Sequence, residues 1–425
     1  MSSKFSVPRG THDILPEESP IWEKLEAKSR HILKLYGYRE LRTPIYEDVS
    51  LFKRSLGDTS DVVNKQLLEL KTSDDDGLAL RPEGTAAIVR SYVENSFDRK
   101  ESISKLFYLG PMFRGERPQK GRLRQFHQLG VEVIGPAAVS PLLDAEVLAL
   151  CMHLLKEFGV KGPRLLINSL GSQADKEHVS TWLREQFASR RESLCPDCQS
   201  RYERNVFRVL DCKNPACKQV VNSIMGDGKG LPLSPESIAY FEQVKASLTD
   251  LGIAFTVAPH LVRGLDYYTH TVFEITAEGL GSQDAVGAGG RYSGLVHQLG
   301  GSEKTAFGAI GFALGIERLL LASGQTQPVE QTIDAYVIAM DQAYQPKAFA
   351  ILQSLRNSGI SADMSYNASS MKSQMSRANK LTAKFALIIG EEEIKNNTVA
   401  VKDMRAATQE VIAQQDVVKY LENKF

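Results

Sequence analysis

The chain opens on a helical pattern. Pro16, Glu17 and Glu18 place acidic residues at the positive end of a helix predicted over 16–36, and Gly37 is positioned to stop it. Residues 38–44 then read as extended, ending at Pro44. Between 48 and 100 the order is loop, strand and helix. There LALRPEGTAAIVRSYVEN supplies a strand end, a turn at Gly84 and a helix, and residues 74–77 form a further turn. Residues 106–135 are two strand-like runs around a charged loop. A helix at 141–158, a strand at 164–169 and a helix at 173–188 follow. Strands return at 253–258, 270–277 and 284–288, and a long helix at 311–322 closes this part of the chain.

From residue 331 the pattern changes. A strand at 335–340, helices at 345–358 and 370–381, and strands at 385–389 and 398–403 argue for a small separate α/β domain. The preceding part reads as antiparallel strands with helices on one side, an α+β fold. The division predicted is thus 1–325 and 331–425. The first domain carries an insertion at about 171–240, whose polar stretch at 190–230 ends in a Gly and Pro cluster at 226–235.

With 425 residues, 42% apolar and 24% charged, the chain has room for two or three ordinary globular domains, and neither disorder nor a fibrous repeat is indicated. The formal net charge of +0 means that a nucleic-acid partner has to be gripped by local basic patches. No apolar run reaches bilayer-spanning length, and the first twenty residues hold charges and three prolines where a signal peptide needs an apolar stretch. A cytosolic protein is expected. Four of the five cysteines, Cys195, Cys198, Cys212 and Cys217, fall in the polar insertion. Two close pairs can supply the four thiolates of a structural zinc site, although the second pair is looser than CxxC, and free thiols fit the spacing as well.

The charged loop concentrates Arg114, Arg117, Lys120, Arg122 and Arg124 within eleven residues, opposed only by Glu116. Guanidinium groups grip phosphate oxygens through paired, directional hydrogen bonds, whereas charge alone is equally met by a solvated hairpin. The strand that follows is more informative. Alternation puts Arg124, Phe126, Gln128, Gly130 and Glu132 on one side and His127, Leu129, Val131 and Val133 on the other. The second set is core; the first, with a ring, an amide and a carboxylate around a glycine, suits the floor of a polar pocket. Gly287, Gly289 and Gly290 in AVGAGGRYSGL let a strand backbone approach a substrate, or mark a bulge. Lys372, Arg377, Lys380 and Lys384 put four cations and no acid across a short helix and its exit, a candidate phosphate-facing stripe.

FRGERPQKGRLRQFHQLGVE resembles motif 2 of the class II aminoacyl-tRNA synthetases, and in its wording the histidyl-tRNA synthetase family in particular. RPEGTAAIVR at 81–90, LVRGLDYYTHTVFEI at 261–275 and GAIGFALGIERLLL at 308–321 match the same family, and VPRGTHDILPEE and the tail also fit, so the resemblance covers nearly the whole chain. The opening helix, strand and Pro44 resemble motif 1, which in the family builds a homodimer interface.

The resemblance implies activation of histidine with ATP and Mg2+, then transfer to its tRNA. It implies Arg114 and Arg263 as catalytic, with Arg263 standing where other class II enzymes place a metal ion; a buried structural salt bridge is the other reading of Arg263. Glu116, Arg122, Phe126 and Arg318 would join Arg114 in holding ATP, with Phe126 on adenine. Glu83, Gly84, Thr85, Gln128, Glu132, Tyr267 and Tyr268 would hold histidine, and Arg117, Gln119 and Lys120 would inspect the tRNA acceptor end. The tail resembles the family's anticodon-binding module. Ser293 replaces the aspartate expected in GGRYDGL. A synthetase-like regulatory subunit of ATP phosphoribosyltransferase shares the core fold, but is expected to lack the catalytic arginine and the anticodon module.

Overall fold

The structure is a computed structural model and describes all residues except 1–4, 58–59, 61, 72–76, 120, 227–229, 265–266, 282–283, 326, 328–331 and 368. The predicted turn at 74–77 therefore lies outside the described residues except for Gly77. The chain divides into two compact units, Met1–Ile14 with Ile21–Gln327, and Leu15–Pro20 with Pro328–Phe425.

Helix α1 (Ser19–Leu35) buries Trp22, Leu25, Ser29, Ile32 and Leu33 on one stripe, and Gly37, at φ 80°, ends it as expected. It begins later than predicted, because residues 16–18 form a turn in which Glu18 and Ser19 donate to the Leu15 carbonyl. The predicted strand at 38–44 shortens to β1 (Arg39–Glu40). A small three-stranded sheet of β2 (Tyr46–Asp48), β3 (Leu68–Glu69) and β4 (Leu78–Leu80) accompanies α2 (Val49–Leu56) and leads into α3 (Thr85–Glu94). Next come the hairpin strands β5 (Ser104–Phe113) and β6 (Gln125–Gly135), then α4 (Pro141–Glu157), β7 (Arg164–Ser169) and α5 (Gln173–Ala188). The insertion contributes α6 (Pro196–Arg204), α7 (Phe207–Leu210) and α8 (Pro215–Met225), followed by α9 (Pro235–Asp250), β8 (Thr256–Val257), β9 (Thr269–Thr276), β10 (Ala285–Arg291), α10 (Gly294–Gln298), β11 (Gly308–Gly315) and α11 (Ile316–Ser323).

Eight strands form one sheet in the order β1-β5-β6-β11-β10-β9-β7-β8, antiparallel except for the β1–β5 and β7–β8 pairs at its edges. Side-chain alternation gives the sheet two apolar faces. Leu129, Val131 and Val133 of β6 join Phe273, Ile275, Ile310 and Phe312 beneath α1, α4, α9 and α11. On the other face, Leu106, Tyr108 and Met112 of β5 pack with α2, α3, α5 and the insertion helices. Helices thus cover both faces, not one as the sequence pattern suggested.

The predicted helix at 311–322 also needs correction, since its first part is strand β11. Gly311 sits opposite both Glu132 and Gly290 in the two neighbouring ladders. A Cβ there would lie 1.9 Å from Glu132 Oε2 and 2.3 Å from the Val131 carbonyl, so the glycine that reads as a small helical residue is what lets the strand pack.

The second unit is a five-stranded sheet flanked by helices. Its strands are β12 (Ala335–Ala339), β13 (Ala362–Met364), β14 (Phe385–Ile389), β15 (Thr398–Asp403) and β16 (Gln409–Ala413), in the order β13-β12-β14-β15-β16. The first three are parallel, and β15 and β16 run antiparallel beside them. Helix α12 (Gln345–Asn357) covers one face, and α13 (Met371–Lys380) the other. On α13 and its exit, Lys372, Arg377 and Lys380 are exposed. Lys384 departs from the predicted stripe: its Nζ lies 2.7 Å from Asp334 Oδ1, an acid that the local pattern did not include.

Candidate active site

The floor of the site is made where the start of α3 meets β6 and β11. The Glu83 carboxylate accepts from the amides of Thr85 at 2.6 Å and Ala86 at 2.9 Å, so it serves the first turn of α3. Complete burial pushes its pKa up, against the downward pull of those amides. Thr85 Oγ1 donates to Glu132 Oε1 at 2.7 Å, and the Tyr292 hydroxyl donates to Glu132 Oε2. Burial raises the Glu132 pKa to about 8, because two hydroxyl hydrogen bonds do not replace the water that a carboxylate loses. Gly84 and Gly130 frame this floor from behind. A Cβ on either would fall within 2.3 Å of the Tyr108 ring, so both positions make room for a tyrosine.

Above the floor lies a cavity of about 360 Å³. Glu83, Thr85, Gln128, Glu132, Tyr267 and Tyr268 all line it, so the residues expected to hold histidine converge there, with Gly84 set back behind the wall. The Tyr267 and Tyr268 rings stand 4.6 Å apart, and Tyr292 meets Tyr267 at 5.6 Å. Gln128 Oε1 is buried and accepts no hydrogen bond from the described residues. A buried acceptor of that kind is costly unless something donates to it, which suits an incoming ammonium or ring N–H.

Four arginines share the same cavity. Arg114, Arg122, Arg263 and Arg318 all line it, together with Glu116 and Phe126. Arg114 Nε donates to the Pro82 carbonyl at 2.9 Å, and its guanidinium lies 5.1 Å from the Phe126 ring centroid. Phe126, expected on adenine, therefore also carries an arginine on its ring. Burial lowers the pKa of both Arg114 and Arg318. Arg318, in the first turn of α11, donates to the carbonyls of Ala285 at 2.6 Å and Gly121 at 3.3 Å, tying the hairpin loop to β10. Arg263 Nη1 pairs with Glu274 Oε2 at 2.5 Å while its buried Nε has no partner among the described residues. It is both a salt-bridge partner and a wall of the cavity.

Other expected residues lie elsewhere. Arg117 and Gln119 are exposed at the hairpin tip, outside the cavity wall, and Lys120 lies outside the described residues. Of the three glycines of β10, only Gly287 lines the cavity. A Cβ on Gly289 would meet the Gly311 carbonyl at 2.1 Å, and Gly290, at φ +157°, sits at a register shift, so these two serve sheet packing and a bulge. Ser293 Oγ accepts from the Ala309 amide at 3.2 Å. The sulfurs of Cys195, Cys198, Cys212 and Cys217 lie within 4.8 Å of one another.

Sequence reasoning missed Tyr292, Tyr108 and Arg208. Arg208 comes from the insertion, lines the cavity, and donates through Nη1 to the Gly264 carbonyl at 2.8 Å. It also missed the fully buried Arg291, which pairs with Asp144 of α4 and donates to the Ala138 carbonyl at 2.7 Å. Tyrosine beside GGR was a visible signal for Tyr292; nothing local marked the others.

An antiparallel sheet that gathers carboxylates, tyrosines and arginines around one cavity accommodates a small zwitterion beside a polyphosphate, the layout of a class II aminoacyl-tRNA synthetase. Residues 10–319 match the family model described as Histidyl-tRNA synthetase, and residues 334–424 the one described as Anticodon binding domain. A histidine–tRNA ligase of Moorella thermoacetica is 47% identical over 418 residues, 98% of this chain and 97% of that protein. One from Geobacillus sp. is 45% identical over 429 residues, 99% of each. The crystal structure of apo S. aureus histidyl-tRNA synthetase superposes with a TM-score of 0.81 at 39% identity, covering 99% of this chain and 100% of that one. The chain belongs to the histidyl-tRNA synthetase family.

Proposed function

We propose that the chain joins histidine to its tRNA in two steps: histidine and ATP give histidyl-adenylate and pyrophosphate, and the histidyl group then passes to the terminal ribose of the tRNA. The observation that carries this reading is one cavity lined both by Glu83, Thr85, Gln128, Glu132, Tyr267 and Tyr268 and by Arg114, Arg122, Arg263 and Arg318. In the first step the histidine carboxylate attacks the α-phosphorus of ATP, and pyrophosphate leaves. Two anions must approach each other, so positioning and fixed positive charge are what the protein contributes. Arg114 and Arg263 are assigned to the α-phosphate from opposite sides, and Arg318 to the γ-phosphate end. Mg2+ enters as part of the Mg–ATP substrate.

Glu83, Thr85 and Gln128 are assigned to the α-amino group and substrate backbone, and Glu132, Tyr267 and Tyr268 to the imidazole. A ring that offers one donor and one acceptor leaves buried groups unpaired when another amino acid replaces it, which supports discrimination of about 10⁴ to 10⁵ without proofreading. The second unit is assigned to the anticodon, and Arg117, Gln119 and Lys120 to the acceptor end. Because tRNA charging serves translation, the cytoplasm is the proposed place of action, and the likeness of the opening helix, strand and Pro44 to motif 1 supports a homodimer as the proposed assembly; no described helix is long and apolar enough to cross a membrane.

The regulatory-subunit alternative is disfavoured because Arg263 lines the cavity and because residues 334–424 match the anticodon-binding family model. Arg263→Ala should lower histidine-dependent pyrophosphate exchange by about 10³-fold or more, as when a group that stabilises transition-state charge is removed, with little change in unfolding midpoint. Near-normal exchange by that variant would contradict the role assigned to Arg263.

A further inference from the structure

The four clustered cysteines come from three short helices. Cys195 caps α6, Cys198 lies in its first turn, Cys212 follows α7, and Cys217 lies in the first turn of α8. Such helices are marginal by themselves and need an external tie. Three of the cysteines are buried, and all four sulfurs fall within 4.8 Å of one another. Zinc–sulfur bonds of ~2.3 Å at tetrahedral angles put sulfurs roughly 3.8 Å apart. Cys195 Sγ and Cys212 Sγ stand 3.9 Å apart, a metal-bridging separation and too long for a disulfide. The Cys195 amide points at Cys217 Sγ at 3.2 Å, an orientation that supports a thiolate.

The cluster continues into the active site. A cleft shared by Cys195 and Cys212 extends to Arg208, Asp211, Arg263 and Glu274. Arg208 holds the Gly264 carbonyl next to Arg263, and Arg201 Nη1 in turn donates to the Arg208 carbonyl at 3.3 Å. Asp211, immediately before Cys212, faces the Arg263 charge.

We propose that the four cysteines bind one Zn2+, and that the ion fixes Arg208 and Asp211 against the 261–264 segment so that Arg263 is held at the cavity wall. The second half of this proposal rests on the adenylation role of Arg263. Binding converts four thiols to thiolates, releases four protons and leaves a net dianion. Arg201, Arg208 and Lys213 around the same cleft offset that charge. The ion touches no reacting atom; Arg208 is a positioning residue.

The test starts from the full-length, unmutated protein. Freed of loosely held metal, it should retain about one zinc per chain, and Co2+ in its place should show thiolate-to-metal charge-transfer bands and tetrahedral visible absorption. Zinc removal should lower kcat for pyrophosphate exchange by about 10- to 100-fold while KM for histidine changes less than about threefold, and added zinc should restore the rate. Arg208→Ala should keep its zinc and show the same fall in kcat, with zinc removal adding little to it. Less than about a tenth of an equivalent of zinc with no cobalt spectrum, or disulfides among these cysteines in unreduced protein, would overturn the metal site. A bound metal whose removal leaves kcat unchanged would overturn the positioning role. So would normal exchange by Arg263→Ala, which defeats the reading it rests on and leaves the zinc count to decide the site alone.

Discussion

At the scale of single residues the site turns on a carboxylate kept away from water. Glu132 takes two hydroxyl donors and is raised from 4.5 to about 8. A carboxyl whose pKa rises on folding contributes its full stability below the unfolded value and loses it as pH rises through the folded value. Unliganded protein should therefore lose on the order of 4 kcal/mol of stability from this group between about pH 4 and about pH 9. Chemical denaturation of wild type and Glu132→Gln across that range checks this: the variant should show a flatter profile, and identical slopes would contradict the assignment. Gln128 and Glu132 were legible in the sequence because a period of two put both on the polar face of β6. For Tyr292 the tyrosine beside GGR was the one local signal, and its bond to Glu132 was hidden, since it joins positions that only the pairing of three strands brings together.

At the scale of elements, α4 is locked to β10 by a buried ion pair. Asp144 and Arg291 are both within 1% of full burial, and Thr271 Oγ1 of β9 adds a bond to Asp144 Oδ2 at 2.6 Å. Removing one partner leaves a charge in the interior, so Asp144→Ala should cost about 3–5 kcal/mol in urea unfolding. A loss below about 1 kcal/mol would show that Arg291 finds another partner. Elements with one dominant period were readable. The hairpin strands, α4, α5 and β7 fall close to their predicted spans, because alternation or a helical stripe with nearby stop residues identifies each. Residues 308–323 were not, because a buried central strand and a buried helix both read as continuous apolar sequence, and Gly311 and Gly315 are ambiguous until the neighbouring strands are known. The helices on the second face were likewise hidden, since local pattern does not state which side of a sheet a helix packs on.

At the scale of the whole molecule, the formal charge of +0 means that tRNA has to be held by local patches, for which the hairpin tip and the second unit are the ones proposed. If both ends of the tRNA are held, removing residues 331–425 should reduce charging by about 10² to 10⁴-fold through lost avidity while exchange with histidine stays within about threefold. Equal loss of both activities would mean that this segment is needed for folding or assembly. The change of pattern near residue 331 made the second unit visible in the sequence, whereas the approach of the insertion to the cavity through Arg208 had no sequence signal, because it depends on a contact with the carbonyl of Gly264.

The most direct test of histidine activation is pyrophosphate exchange into ATP with each of the twenty amino acids supplied singly, which needs no tRNA. The structure's paired floor and arginine wall predict exchange with histidine and with no other amino acid above about one part in 10⁴. No exchange with any amino acid, in folded protein that still binds histidine, would contradict the account and favour the non-catalytic regulatory subunit.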